Sequence, residues 1–263
     1  MNSGILPNVR QAHLRIWEIF YKAEKPTHVS TVRERAILFL VIKALRTQRA
    51  MEALSERGLG QDAMTLLRSL YETMITQRYL AEKASAEEID RYAGFVHISK
   101  EKHMDTAFTA FPASPRAAQM REREAEIREQ ATLARERLFS GKNPNDWGPS
   151  FAVMARSLDI EPTHRFLYGY LSDFAHPEAV VADQYATQDE HALYPRIEEP
   201  DYDATNAAFG TAAGLLREVL ECFNKTFHCG IEETELDEIH RLLKAKEPAT
   251  STETRRTTPR ETR

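Results

Sequence analysis

"DAMTLLRSLYETMITQRYLAEK", residues 62–83, is the stretch that decides the fold. A helix drawn through it carries apolar side chains on nearly every face, at Met64, Leu66, Leu67, Leu70, Tyr71, Met74, Ile75 and Leu80. A helix that is apolar all round must be buried among other elements. No stretch of the chain shows the sustained alternation of apolar and polar residues that is typical of a strand. We therefore predict an all-α helical bundle of long helices with this helix at its centre.

Glycine and proline divide the rest of the chain into further helical segments. The predicted helices cover residues of about 8–24, 29–57, 61–83, 85–108, 150–158, 162–175, 201–227 and 232–246. Gly58 closes the second helix, and Ser85 with Glu88 forms a capping-box pattern that opens the fourth. We predict one all-helical domain over residues 1–246, with an irregular cover segment at about 177–200. Residues 247–263, rich in Thr, Arg and Pro, are predicted to be a disordered tail.

The stretch "RAAQMREREAEIREQATLARERLF", residues 116–139, is dense in Arg and Glu at spacings of three and four residues. Such spacing places opposite charges side by side on a helix surface. We predict a charged helical insertion at about residues 114–140, exposed to solvent and covered with ion pairs. A basic stripe for nucleic acid is the alternative, but the interleaved Glu residues largely cancel its positive field.

Composition places the chain of 263 residues in the folded globular class, with 42% hydrophobic and 29% charged residues. The formal net charge of −5 argues against a generally basic nucleic-acid or membrane binder. The N-terminus lacks the pattern of a secretory signal, and the most apolar run, Ala36 to Ile42, is too short to cross a bilayer. Cys222 and Cys229 are interpreted as reduced, buried thiols. Together these features predict a cytoplasmic location.

Two charged residues stand on the central helix. Arg68 and Glu72 lie four residues apart and must share a helix face. A buried charge pair is costly unless it is fully bonded, so the pair is either a brace between helices or part of a functional pocket.

The stretch "YGYLSDFAHPEA", residues 168–179, places Ser172, Asp173 and His176 near the end of a helix stopped by Pro177. Ser172 and His176 are neighbours on one stripe of that helix. Arg165 lies on the same stripe but roughly 16 Å from His176 along the axis. A site built on His176 must therefore take its cation from another helix, for which we predict Arg68. Gly169, on the same stripe, would allow a neighbouring backbone to approach closely.

These residues suggest a metal-independent reaction. An imidazole can serve as acid or base near neutral pH, and an Arg can stabilise the charge that develops on a phosphorus centre. We predict His176 as acid and base, Arg68 as charge stabiliser, and Glu72, Ser172 and Asp173 as supports. The alternative is a His that only caps its helix. No metal and no cofactor are predicted, because neither paired metal motifs nor a Gly-rich phosphate loop occurs.

Two further interpretations of the residues around His176 are less well supported by the sequence. A Ser172 nucleophile activated by His176 lacks a surrounding GxSxG elbow, and a metal site from Asp173, His176 and Glu72 lacks a further ligand. Arg91 and His97 also have a spacing of six residues, but we expect both on the surface.

In four stretches the chain resembles a bacterial family of unknown function, DUF5677. These stretches are "GLGQDAMTLLRSLYETMITQRYLAE", "EEIDRYAGF", "DWGPSFAVMARSLDI" and "YGYLSDFAHPEA", in this order. That family is distantly similar to the HEPN group of helical proteins, many of which are metal-independent RNases of toxin, phage-defence and RNA-processing systems. The resemblance implies RNA as substrate or partner and a homodimer. The usual HEPN motif is an Arg followed four to six residues later by His, and this chain departs from it at His176.

Two functions from different classes therefore follow. The first is a HEPN-like ribonuclease or RNA-binding protein of bacterial defence or stress. The second is a non-catalytic helical module for protein interaction, in which the same residues brace the core. An open arrangement of Arg68, Glu72 and His176 favours the first, and a sealed, fully bonded arrangement favours the second.

Overall fold

Ten helices and one short β-hairpin are found in the part of the chain that the computed structural model describes, residues 4–141, 144, 146–176, 186–188, 193–195 and 199–245. The helices are α1 (Pro7–Lys22), α2 (Val32–Ser55), α3 (Gly60–Glu82), α4 (Ala86–Ala110), α5 (Pro115–Glu122), α6 (Glu124–Leu138), α7 (Phe151–Ser157), α8 (Glu161–Ala175), α9 (Tyr202–Phe227) and α10 (Glu233–Lys244). The predicted all-α architecture is confirmed. The predicted disordered tail at 247–263 lies outside the described residues.

The hairpin lies in the segment for which the sequence predicts no regular structure. Its strands, β1 (Ala186–Gln188) and β2 (Leu193–Pro195), are antiparallel, and Thr187 is opposite Tyr194 in the register. The prediction misses the hairpin because strands of three residues are too short for an alternating pattern to be recognised.

Helix α3 is at the centre of the bundle, as predicted. It packs against α2, α7, α8 and α9. Leu70, Ile75 and Leu80 on different faces of α3 are each 0% exposed. Burying such a side chain contributes roughly 1.5–3 kcal/mol relative to leaving it in water. Neighbours cover α3 on several sides, but some of its polar residues remain partly exposed, and two of these, Arg68 and Glu72, belong to the candidate site.

The predicted helix boundaries at Gly58 and Ser85 are confirmed. Gly58, just past the end of α2, has a φ of +73°, a backbone conformation that a side chain would strain. The Ser85 hydroxyl accepts the backbone N–H of Glu88, and the Glu88 carboxylate accepts the backbone N–H of Ser85. Both halves of the capping box are therefore present at the start of α4.

Replacing Gly60 with alanine is expected to destabilise the fold. Gly60 begins α3, where an added Cβ would lie 2.4 Å from the backbone nitrogen of Thr205 and 2.7 Å from the backbone carbon of Ala204. Backbone atoms cannot move aside without shifting α9, so we expect a loss of about 1–3 kcal/mol in the free energy of unfolding. Urea denaturation followed by circular dichroism measures it.

Gly169→Ala is the matched control for this experiment. The expected close approach at Gly169 is not found, because among the described residues no heavy atom outside the adjacent helix backbone lies within 4 Å of a Cβ added there. An exposed glycine in a helix costs roughly 0.5–1 kcal/mol relative to alanine, so this variant should gain stability. Equal stability of Gly60→Ala and the wild type would contradict the packing of α3 against α9.

The charged insertion consists of two helices and not of one. The chain leaves helical geometry at Arg123, with φ −115° and ψ 12°, and α6 then runs antiparallel to α4. No glycine or proline marks this break, so the sequence gives no signal for it. Ile98, Ala134 and Phe139 form a small apolar cluster between α4 and α6, separate from the main core.

Ion pairs line the insertion as predicted. Arg128 contacts Glu124 at 2.9 Å and Asp105 at 3.0 Å, and Arg135 contacts Glu101. Glu101 is only 8% exposed, so its pairing with Arg135 also satisfies a buried carboxylate. The more exposed pairs contribute little to stability individually.

The two cysteines behave as small buried groups. Cys222 and Cys229 are both buried and carry free thiols. Burial raises the pKa of the Cys222 thiol to about 12. Burial raises the pKa of the Cys229 thiol as well, so neither thiol is an activated nucleophile. Among the described helices, none has the length and apolar character that crossing a membrane requires.

Candidate functional site

The packing of α3 against α8 brings Arg68 and His176 together. Arg68 Nη1 lies 3.1 Å from His176 Nε2, although 108 positions separate the two residues in the chain. The hydroxyl of Thr65, one turn before Arg68, donates to the carbonyl oxygen of Phe174 at 3.1 Å. This bond holds the end of α8 against α3. His176 follows the last helical residue, and its backbone N–H donates to the carbonyl oxygen of Ser172 at 3.1 Å.

The guanidinium of Arg68 is held on three sides. Its Nε donates to Glu72 at 3.1 Å, and its Nη2 donates to the hydroxyl of Tyr168 at 3.0 Å. The guanidinium carbon also lies 4.9 Å from the centre of the Tyr168 ring. Burial lowers the pKa of Arg68, but the hydrogen bonds to Tyr168 and Glu72 outweigh this effect and raise the pKa above its ordinary value. Arg68 is therefore a fixed and permanent cation.

The contact with Arg68 determines which nitrogen of His176 carries the hydrogen. A guanidinium only donates hydrogen bonds, so Nε2 of His176 must accept and the hydrogen of the neutral ring resides on Nδ1. The Arg68 side chain is 18% exposed and that of Glu72 is 29% exposed, whereas His176 is an exposed residue. The cluster thus combines a largely buried cation with an imidazole that a solute can reach. We refer to Arg68, Glu72, Tyr168 and His176 as the arginine cluster.

Ser172 and Asp173 lie beside this cluster but do not join it. The Ser172 hydroxyl donates to the carbonyl oxygen of Tyr168 at 2.6 Å, a bond within α8. Within the part of the chain that the structure describes, Asp173 makes neither a hydrogen bond nor an ion pair. The structure brings together Arg68, Glu72 and His176, and Ser172 contributes through the carbonyl oxygen that fixes the backbone of His176.

Tyr168 is the member of the cluster that the sequence reasoning missed. It precedes Ser172 by one helical turn, so it lies beside the stripe that relates Ser172 and His176. In a helical sequence pattern a tyrosine counts as an apolar residue. Its hydroxyl can nevertheless form a hydrogen bond, and the sequence alone does not show its partner.

A cavity of about 450 Å³ lies next to the arginine cluster. Trp147, Phe151, His164 and Tyr168 contribute aromatic walls, and Asp146 and Ser150 add polar groups. Tyr168 belongs to both features, because its ring lines the cavity while its hydroxyl binds Arg68. The cavity and the cluster therefore adjoin at Tyr168.

The loop that carries Trp147 folds back onto the protein. The Trp147 ring meets the Tyr92 ring edge to face at 4.8 Å. Arg91 Nε donates to the carbonyl oxygen of Trp147 at 3.1 Å, and Arg91 Nη1 lies 2.7 Å from Glu87. The expected surface position of Arg91 is therefore wrong, since the residue is only 7% exposed. Its guanidinium is buried because it anchors this loop. His97, the other half of that pair, is partly exposed.

His164 is a buried histidine at the inner side of the cavity. It is 5% exposed, and its Nδ1 lies 3.3 Å from the hydroxyl of Tyr71 on α3. Burial lowers the pKa of His164, while the charge of Glu161 opposes this shift. Burial also raises the pKa of Tyr71 to about 12. Both groups are therefore neutral near pH 7. The sequence reasoning did not single out either residue, because a lone His or Tyr in an apolar helix carries no distinguishing pattern.

Within the described residues, no three His, Cys, Asp or Glu side chains are grouped so that they could hold a metal ion.

A family whose description is "Family of unknown function (DUF5677)" matches residues 34–192, more than half of the chain. The matched range contains the arginine cluster and every residue that lines the cavity. No curated protein and no solved structure matches the chain significantly.

Proposed function

The chain belongs to the DUF5677 family, and we propose that it cleaves RNA without a metal ion, with Arg68 and His176 as the reacting pair. The observation that supports this function is the 3.1 Å contact between a fixed cation and an exposed imidazole. The distant resemblance of the family to the HEPN group points to the same substrate class.

The arrangement suits an attack by the ribose 2′-hydroxyl of the substrate. A phosphate oxygen that accepts a hydrogen bond from Arg68 Nη1 replaces His176 as its partner, and this frees the lone pair on Nε2. Nε2 then takes the proton of the 2′-hydroxyl, and the 2′-oxygen bonds to the adjacent phosphorus. The bond from phosphorus to the 5′-oxygen breaks, and His176 returns its proton to that oxygen. The products are a 2′,3′-cyclic phosphate and a 5′-hydroxyl.

Arg68 stabilises the negative charge that develops on the phosphorus oxygens. Glu72 and Tyr168 position its guanidinium, and the Ser172 carbonyl oxygen positions the backbone of His176. Asp173, one residue after Ser172, is partly exposed, and we propose it as a support for the charge of the imidazolium.

A second function, a non-catalytic interaction module, is favoured by a different observation. Each of the three guanidinium nitrogens of Arg68 already has a partner within the protein. A fully bonded Arg is the signature of a brace, which here joins α3 to α8. In this case the same cluster would hold the helices together and would take no part in a reaction.

Matched RNA and DNA oligonucleotides of one sequence, incubated with the purified protein in EDTA, test the first function. We expect cleavage of the RNA, with a cyclic phosphate at the new end, and no cleavage of the DNA, which lacks the 2′-hydroxyl. A His103→Ala preparation controls for histidines in general, because His103 is exposed on α4 and distant in the chain from the cluster. Intact RNA, or equal cleavage of the DNA, would contradict the proposed reaction and favour the brace.

A further inference from the structure

The cavity beside the arginine cluster has the size and the walls of a site for a planar ligand. Its volume of about 450 Å³ is within the range of roughly 300–1,000 Å³ that is typical of small-molecule pockets. Trp147, Phe151 and Tyr168 provide aromatic surfaces. Nucleic-acid bases stack on such rings whatever their sequence, because every base has a π-face.

His164 supplies an unused hydrogen-bonding group to this cavity. It is 95% buried, since 5% of its surface is exposed, and it lines the cavity. Its Nδ1 is occupied by the hydroxyl of Tyr71, and Nε2 has no partner among the residues that the structure describes. When the Tyr71 hydroxyl donates to Nδ1, the hydrogen of the neutral ring is on Nε2. His164 then offers one N–H donor to a ligand, and a carbonyl oxygen is its natural acceptor.

Two further polar groups of the cavity lack partners in the described structure. Ser150 occupies the N-cap position of α7, but its hydroxyl makes no capping hydrogen bond. The exposed carboxylate of Asp146 makes no hydrogen bond or ion pair to a described residue. A carboxylate accepts hydrogen bonds from amino and amide N–H groups. With the N–H of His164, the cavity thus presents two donors, His164 and the Ser150 hydroxyl, and one strong acceptor, the Asp146 carboxylate.

From these features we propose that the cavity is a nucleobase pocket for a base with both a carbonyl oxygen and an N–H donor. Guanine, uracil and cytosine meet this requirement, and adenine, which has no carbonyl oxygen, does not. The inference rests on the proposed action on RNA and specifies the substrate: single-stranded RNA with such a base at the cleavage position. Tyr168 lines the pocket and binds Arg68, so the pocket and the proposed reacting pair adjoin at this residue.

Tryptophan fluorescence provides a direct test of the pocket. The chain has two tryptophans, so Trp17→Phe leaves Trp147 as the only one. We expect GMP, UMP and CMP to quench Trp147 in a saturable manner, and AMP to bind at least about tenfold more weakly, because the hydrogen bond to His164 is lost. His164→Phe and Asp146→Asn, each in the Trp17→Phe background, should weaken binding of GMP about tenfold. Asp146 is exposed, so its substitution should leave the packing of the core unchanged.

Val153→Ala is the matched control, because Val153 is 46% exposed on α7 and does not line the cavity. Absence of quenching by all four nucleotides, equal binding of AMP and GMP, or unchanged binding by both polar variants would overturn the pocket. These results are separable from the cleavage assay. Nucleotide binding without RNA cleavage would support the pocket and contradict the proposed reaction. Cleavage without nucleotide binding would contradict the pocket alone.

Discussion

Replacement of Arg68 by lysine is expected to lower the rate of RNA cleavage about 10²- to 10³-fold while the fold is retained. Lysine keeps the positive charge but has a single ammonium, so it cannot bind Glu72, Tyr168 and a phosphate oxygen at once. The planar guanidinium bonds Glu72 and Tyr168 through two of its nitrogens and directs the third at His176. We therefore expect the positive charge of the lysine to lack a fixed position, and the rate of RNA cleavage to fall for this reason.

His176→Ala should produce a loss of about 10²- to 10⁴-fold, because it removes the acid and base from the same reaction. Single-turnover rates on an RNA oligonucleotide in EDTA measure both variants. Arg78→Lys is the matched control, since Arg78 also lies on α3 and pairs with Glu82 and Glu218. A folded Arg68→Lys protein with a rate close to that of Arg78→Lys would show that Arg68 is a structural brace only.

Acidification from pH 6.5 to about 4 is expected to cost the folded state about 3 kcal/mol through His13 alone. His13 is 2% exposed, where α1, α2 and α9 meet. Its Nε2 donates to the carbonyl oxygen of Phe209 at 2.7 Å, and its Nδ1 accepts from Gln48 Nε2 at 2.8 Å. Its ring also stacks on the Phe209 ring with centroids 3.4 Å apart. Both nitrogens are satisfied only in the neutral form.

Burial lowers the pKa of His13 from 6.5 to about 4, although the hydrogen bond to Phe209 acts in the opposite direction. The unfolded chain therefore binds a proton at this residue at higher pH than the folded chain does. The stabilisation is complete above pH 6.5, and it is lost progressively as the pH falls toward 4.

Urea unfolding at several pH values between 4 and 7 measures this effect. His13→Gln cannot titrate, so we expect it to be less stable than the wild type at pH 7 and to lose this difference as the pH falls. His103→Gln, at an exposed position, should keep the slope of the wild type. Parallel curves for the wild type and His13→Gln would rule out His13 as the source of the acid sensitivity.

Much of the helical architecture could be predicted because it depends on local signals. The apolar residues of α3 occur at helical spacing on all sides, and the cap at Ser85 and the glycine at position 58 are local in the chain. These features require no knowledge of distant residues. The break at Arg123 was missed because no glycine or proline marks it, and the strands β1 and β2 were missed because they are too short.

The candidate site was predictable only in part, for a related reason. Arg68 and His176 could be selected because each is an unusual residue on its own helix, and their contact needed only the assumption that α3 packs on α8. The Tyr168 hydroxyl and the His164 imidazole make their polar contacts with residues on other helices, so these contacts depend on three-dimensional neighbours. Arg91 shows the converse, since a charged residue expected on the surface is buried by the loop it anchors.

The packing of α9 on α3 determines which part of the chain can fold independently. The family match ends at residue 192, before α9 begins, yet α9 covers α3 with side chains such as Leu216, Val219 and Phe223, each 0% exposed. A fragment trimmed to residues 34–192 would therefore leave one side of the central helix open to water and prone to self-association. The range matched by the family is therefore shorter than the part of the chain that folds together. Fragments for expression should extend at least through Phe227.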